Sequence, residues 1–205
     1  MGFSSIVILL FTIKRYQKMR KKPFSKNQIL TLRKNLQDKP RDLALLNTAV
    51  DTCLRSSDLL SLKVGDVQTE WKEIREKIEL KMKKTNKFVR CVLSDKSRDS
   101  LSRWIDLTGK EKSDYLFTPI RGGSDQITGL AFRKIIKGWC ETCGWDKSYF
   151  SSHSLRRTLP SQVYKQTKDI RSCQVVLGHS SPANTALYLN VEEQDAFDVV
   201  SKIRF

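Results

Sequence analysis

Apolar residues recur along most of this chain at helical rather than strand spacing. Ser25-x-x-Gln28 has the form of a capping box, and Ile29, Leu32 and Leu36 follow, which predicts a helix opening at Ser25. Asp38 and Pro40 suit the start of a second helix carrying Leu43, Leu46 and Val50, and a third, short helix is predicted over Ser57 to Leu62. From Val64 to Leu93 the texture changes. Val64, Val67, Ile74, Ile78, Leu80, Phe88, Val89 and Val92 predict two or three short strands, with Lys84, Thr85 and Asn86 at a turn. Helical patterning returns near Asp95. A helix is predicted from Thr128 to Cys143, stopped by Gly144, and others over Ser152 to about Lys165, Ile170 to Leu177 and Pro182 to Leu189. Pro160 falls inside the Ser152 helix, where its missing backbone donor predicts a kink. A last amphipathic piece aligns Ala196, Val199, Val200 and Ile203, with acids on its other faces. The fold class is therefore α+β, mostly helical, with a small three-stranded sheet near the front.

A length of 205 residues suits one ordinary domain with a short appendage, and it buries a core without disulfides or metal. Charge adds the next constraint. Lys and Arg number 38 against 22 Asp and Glu, a formal +16, which favours a polyanionic partner: nucleic acid or an acidic membrane surface. Lys81, Lys83, Lys84, Lys87 and Arg90 crowd residues 80–90 with no acid among them, whereas Glu192, Glu193, Asp195 and Asp198 make the tail acidic. Five cysteines without a secretory signal fit reduced thiols. Cys140-x-x-Cys143 lacks a second ligand pair for zinc and reads as two thiols one helical turn apart. Residues 3–13 are apolar but span 11 positions, against the roughly 20 that a spanning helix needs. With basic residues 14–22 after that run rather than before it, a signal peptide is not indicated, and residues 1–22 are read as an N-terminal extension, with Met19 as a working start.

Three segments carry chemistry suited to phosphate. Residues 51–67 (DTCLRSSDLLSLKVGDV) place Arg55 at a helix entrance with Asp58 three residues on. Residues 153–158 (HSLRRT) set His153 and Arg156 one turn apart on one helix face. Residues 177–188 (LGHSSPANTALY) put a sharp turn at Gly178 before His179, with Tyr188 nine residues further. In order, spacing and wording the three resemble the tyrosine recombinase (phage integrase) family over roughly residues 25–190, and both histidines of the chain fall inside them.

The resemblance implies a catalytic domain over 23–190 with a small antiparallel sheet, an acidic tail over 191–205, and DNA strand transfer without metal, ATP or nucleotide cofactor. Cleavage by a side-chain hydroxyl builds negative charge on the non-bridging phosphate oxygens, which two guanidiniums can clamp bidentately; Arg55 and Arg156 are the candidates. Tyr188 is the nucleophile, and its proton needs an acceptor. The family assigns acid–base work to His153 and a hydrogen bond on the scissile phosphate to His179. A lysine at a β-hairpin tip protonates the leaving 5′-oxygen; Lys84 matches it best, with Lys81, Lys83 and Lys87 as neighbours. Asp58 matches an acid that orients the first arginine. Implied partners are double-stranded DNA, three further protomers in a tetramer and an accessory DNA-bending protein; no membrane is implied.

Cys53 stands where the family usually has glycine, a departure read as a change in packing. About two dozen residues precede the catalytic part, where larger members carry a DNA-clamping domain. The chain thus resembles the short recombinases that invert fimbrial switches, or a fragment of a longer integrase. Two other readings remain: a type IB topoisomerase, which religates the same strand, and a decayed integrase that only binds DNA.

Overall fold

A computed structural model describes residues 21–123, 125–189, 191, 193–201 and 203. The expectations placed on residues 1–20 lie outside the described residues. The capping box forms in both directions: Gln28 N–H donates to Ser25 Oγ at 3.2 Å and Ser25 N–H to Gln28 Oε1 at 2.9 Å, opening α1 (Lys26–Asn35). Pro40, whose fixed φ suits a first helical position, starts α2 (Pro40–Thr52). This helix is the centre of the molecule, with Ala44, Leu45 and Leu46 fully buried. It packs against α5 (Asp95–Thr108) and α7 (Ser152–Thr167). Asp51 joins α2 to α5 by accepting from Ser94 N–H at 2.8 Å and from the Ser97 hydroxyl at 2.5 Å.

Between them lie α3 (Ser56–Leu60), α4 (Val64–Val67), β1 (Lys77–Lys81) and β2 (Phe88–Val92). The two strands pair antiparallel, with Glu79 opposite Arg90. The three-stranded expectation is corrected here. Val64 and Val67 belong to a helical turn, and what would be a third strand is reduced to a single bridge between Gln68 and Ile74. The intervening turn leaves too few residues extended to ladder: Lys72 has φ 63°, and Gln68 Nε2 is spent on the Lys72 carbonyl at 2.9 Å. Ile78, Val89 and Cys91 face the core, so alternation with Lys77, Glu79, Phe88 and Arg90 sets the hairpin's buried side.

The C-terminal half comprises α6 (Gly129–Thr142), capped by the Thr128 hydroxyl and ended at Gly144 (φ 67°), then α7, α8 (Ile170–Leu177), α9 (Pro182–Leu189) and α10 (Glu193–Val200). Pro160 sits within α7 without ending it. Phe24 stacks on Phe150 at 4.3 Å and fixes the start of the domain against the loop before α7. Asp195 of α10 pairs with Lys168 of the same protomer at 2.5 Å, while Phe197, Val200 and Ile203 are exposed. Among the described residues, no helix is long and apolar enough to cross a membrane, and no cluster of His, Cys, Asp and Glu could hold a metal.

Candidate active site

Arg156 organises the site. It projects from α7 into the interior, 5% exposed, and donates from Nη1 to the Cys53 carbonyl and from Nη2 to the Leu177 carbonyl at 2.8 Å. A buried cation is costly unless its hydrogen bonds are made, and the last carbonyls of a helix are suited to a positive charge. Leu177 ends α8, and Cys53 caps α2, so one guanidinium ties together three helices. Cys53 adopts φ 50°, the left-handed region. The preference for glycine there is therefore conformational, which corrects the reading of Cys53 as a packing change, and the carbonyl that this turn exposes is one that Arg156 uses.

Gly178 (φ 61°) reverses the chain after α8 and delivers His179 beside Arg156, with Nη2 of the arginine 3.5 Å from His179 Nε2. On the other side of the ring, His179 Nδ1 lies 3.1 Å from Thr185 Oγ1, whose hydroxyl reaches the Ser181 carbonyl at 3.3 Å. This pattern assigns the proton to Nδ1 and leaves Nε2 as an acceptor facing Arg156. Burial, and then Arg156 and Arg55, push the imidazole pKa down to about 4, so the ring is neutral near pH 7. Gln174 Nε2 steadies the turn by donating to the His179 carbonyl at 3.1 Å.

Tyr188 closes the cluster. Its ring meets His179 edge to face at 5.3 Å, and Arg156 and Arg157 lie 6.0 and 5.4 Å from its centroid. The hydroxyl is sealed from solvent and faces the Arg156 guanidinium in a marginal contact that falls short of a well-formed hydrogen bond. Burial raises the phenol above its ordinary pKa, against the opposing pull of Arg156 and Arg157. Here the phenol is protonated and sequestered.

Arg55 is the N-cap of α3, a position that usually holds a small polar residue. Its side chain makes no cap and instead donates from Nη1 to the Met82 thioether at 3.3 Å. Asp58 was expected to orient Arg55. Instead its Oδ1 accepts the Lys83 backbone N–H at 3.0 Å, and no Arg55–Asp58 ion pair forms among the described residues. The α3 helix is so short that Arg55 projects toward Met82 while Asp58, 5% exposed, turns under the hairpin. Lys84 sits exposed at that hairpin's tip, in a turn where Asn86 takes φ 54°. His153 lies on the exposed rim of α7; partial burial, and then Arg156, Arg157 and Arg55, hold its pKa below the ordinary value.

The sequence-predicted residues thus divide. Arg156, His179 and Tyr188 form one contacting cluster, Arg55 and His153 border it, and Lys84 stands at the hairpin tip without a hydrogen bond to them. Residues that sequence reasoning missed are Thr185, fully buried and one turn before Tyr188 on α9, together with Gln174, Arg157 and Met82. Thr185 had a legible signal, since a hydroxyl at i−3 from the tyrosine shares its helix face.

A model of the phage integrase family matches residues 22–195. The chain belongs to the phage integrase family. A probable integrase/recombinase, YoeC of Bacillus subtilis, is 30% identical over 158 residues, covering 77% of this chain and 82% of that protein. A tyrosine recombinase of Pseudothermotoga lettingae is 30% identical over 163 residues, and tyrosine recombinase XerC of Actinobacillus pleuropneumoniae is 27% identical over 169. This family member spans about half the length of those two relatives, 54% and 53%. Its fold is that of the XerA recombinase crystal structure, with a TM-score of 0.74 at 22% identity over 91% of this chain and 67% of that one. XerH recombinase bound to its difH substrate gives 0.69 at 20% identity, over 88% and 54%.

Proposed function

We propose that this integrase-family chain is the catalytic domain of a site-specific DNA recombinase, occupying residues 23–190. The observation that carries this reading is the contact of Tyr188 with His179 and the two α7 arginines around one buried point. The Tyr188 hydroxyl attacks a DNA phosphorus, forming a 3′-phosphotyrosyl bond, while the 5′-oxygen leaves with a proton from Lys84. Arg55 and Arg156 hold the non-bridging oxygens, His153 takes the tyrosine proton, and His179, once a bound phosphate favours a proton on its Nε2, donates from there to the phosphate. Asp58 supports the step through the hairpin. A 5′-hydroxyl from a partner strand then reverses the chemistry, so no metal or nucleotide is consumed.

The partners of this reading are double-stranded DNA and three further protomers, with a DNA-bending protein as helper. The relatives' greater length favours a second DNA-holding element in the working assembly. The exposed Phe197 and Val200 of α10 then meet a neighbouring protomer once the Lys168–Asp195 pair releases.

The experiment is covalent capture from a random-sequence pool of nicked duplexes, in which the cut strand's short end diffuses away. The full chain should accumulate adducts at Tyr188 on a recurring sequence. Binding without adduct would leave a DNA-binding protein only. Relaxation of supercoiled plasmids that lack the captured sequence would favour a topoisomerase.

A further inference from the structure

We propose that Met82 is a positioning residue for strand cleavage, its thioether holding Arg55 in register with both the Lys84 hairpin and the Gly178–His179 turn. The inference rests on the recombinase reading above and adds to it a residue that none of the three motifs contains.

Met82 is the residue after β1, 1% exposed, and it touches three separate parts of the site. Its sulfur accepts from Arg55 Nη1 at 3.3 Å. Its methyl lies against Gly178: a Cβ there would stand 3.0 Å from Met82 Cε and 3.4 Å from Sδ. Its backbone closes the hairpin tip, donating to the Lys87 carbonyl at 2.9 Å and accepting from Asn86 N–H at 2.9 Å, so Lys84 lies inside the loop that Met82 shuts. The next residue, Lys83, is held by Asp58. Arg55 and Asp58, both on the first turn of α3, therefore grip consecutive residues of the hairpin.

The choice of sulfur has a physical reason. A guanidinium that must bind phosphate needs a fixed direction without losing its charge to a competing anion. A carboxylate would orient Arg55 but neutralise it and compete with the substrate. A thioether is a weak, polarisable acceptor that aims one N–H and yields when a phosphate oxygen arrives. An apolar residue of equal volume would fill the space and leave that N–H undirected.

The chain has three methionines, Met1, Met19 and Met82, so a methyl-labelled sample gives few resonances, and the one lost in Met82→Leu is that of Met82. In the full chain without DNA, Arg55→Lys should move the Met82 methyl resonance, whereas Arg90→Lys on the outer face of β2 should not. A resonance indifferent to Arg55→Lys overturns the contact. On the duplex captured by the wild-type protein, Met82→Leu should cut single-turnover cleavage about five-fold, with DNA affinity and melting temperature near wild type. Met82→Gln, which restores an oxygen acceptor at similar reach, should recover the rate to within about two-fold of wild type. Equal slowing of Leu and Gln variants, or full activity of Leu, overturns the positioning role. Failure of the wild-type protein to form any adduct would sink the recombinase reading and this role with it, and an intact methyl response would then show that the contact was not at fault.

Discussion

The carboxylate of Asp58 accepts the backbone N–H of Lys83 at 3.0 Å, one residue before Lys84. An acid expected to steer an arginine thus anchors the hairpin that bears Lys84, the proposed general acid. Asp58→Ala should slow cleavage of an ordinary duplex by roughly ten-fold or more, because a misplaced proton donor loses part of its catalytic contribution. A duplex with sulfur at the 5′-bridging position needs no proton on its leaving group and should be cut by the variant at close to the wild-type rate. Equal defects on the two duplexes would show that Asp58 acts on the phosphate clamp instead.

Tyr188→Phe should abolish the covalent adduct without weakening the fold. The hydroxyl is buried and lacks a well-formed hydrogen bond, so its removal relieves a desolvated polar group. A gain of up to about 1 kcal/mol, or roughly 2–4 °C in melting temperature, is expected. Differential scanning calorimetry checks it, and a clear loss of stability would place a hidden partner on that oxygen.

The two arginines should separate in a paired measurement of rate and stability. Arg156→Ala strands the Cys53 and Leu177 carbonyls and should cost about 3 kcal/mol of stability as well as at least about 100-fold in cleavage. Arg55→Ala, half-buried and held by a thioether, should lose a similar factor in rate with little change in melting. Lysine should rescue Arg156 poorly, because one ammonium cannot span two carbonyls and a phosphate.

Acid should destabilise the domain through His179. Its folded pKa of about 4 lies below the ordinary 6.5, so between those values the unfolded chain binds more protons than the folded one. The stabilisation is fully present above about pH 6.5 and is lost as pH falls toward 4. His153 is shifted in the same direction and adds to the slope. Denaturant melts across that range should flatten in His179→Gln; an unchanged slope would mean that the imidazole is not desolvated. DNA should reverse the shift, since a phosphate beside Nε2 favours a proton there, and binding near pH 6 should take up protons measurable by calorimetry in two buffers.

Much of this architecture was legible in the residues. Ser25 and Gln28 announced α1, Pro40 announced α2, and Gly144 and Gly178 marked the ends of α6 and α8, because caps and turns are local chemistry. That Arg156, His179 and Tyr188 would lie together was legible too, since they come from segments close in sequence. What escaped was non-local. Nothing near Asp58 shows that Lys83, 25 residues on, will take its carboxylate. Met82 reads as one more apolar position until Arg55 and Gly178 are seen on either side of it. The missing third strand escaped because Val64 and Val67 have strand propensity but lie where a helical turn exposes Asp66 to the Lys63 N–H at 2.8 Å.

The bridge from Arg156 to the carbonyls of Cys53 and Leu177 also bears on the protein's own biogenesis. Arg55 leaves the ribosome long before Tyr188, and a partly made chain already carries a basic surface able to meet the chromosome. Yet the guanidinium of Arg156 finds its two carbonyls, 103 and 21 residues away, only when α2 and α8 are both in place. Nascent, truncated or thermally frayed copies therefore hold the parts of the proposed centre without its geometry. On the recombinase reading, cutting competence would arrive last, with completion of the fold.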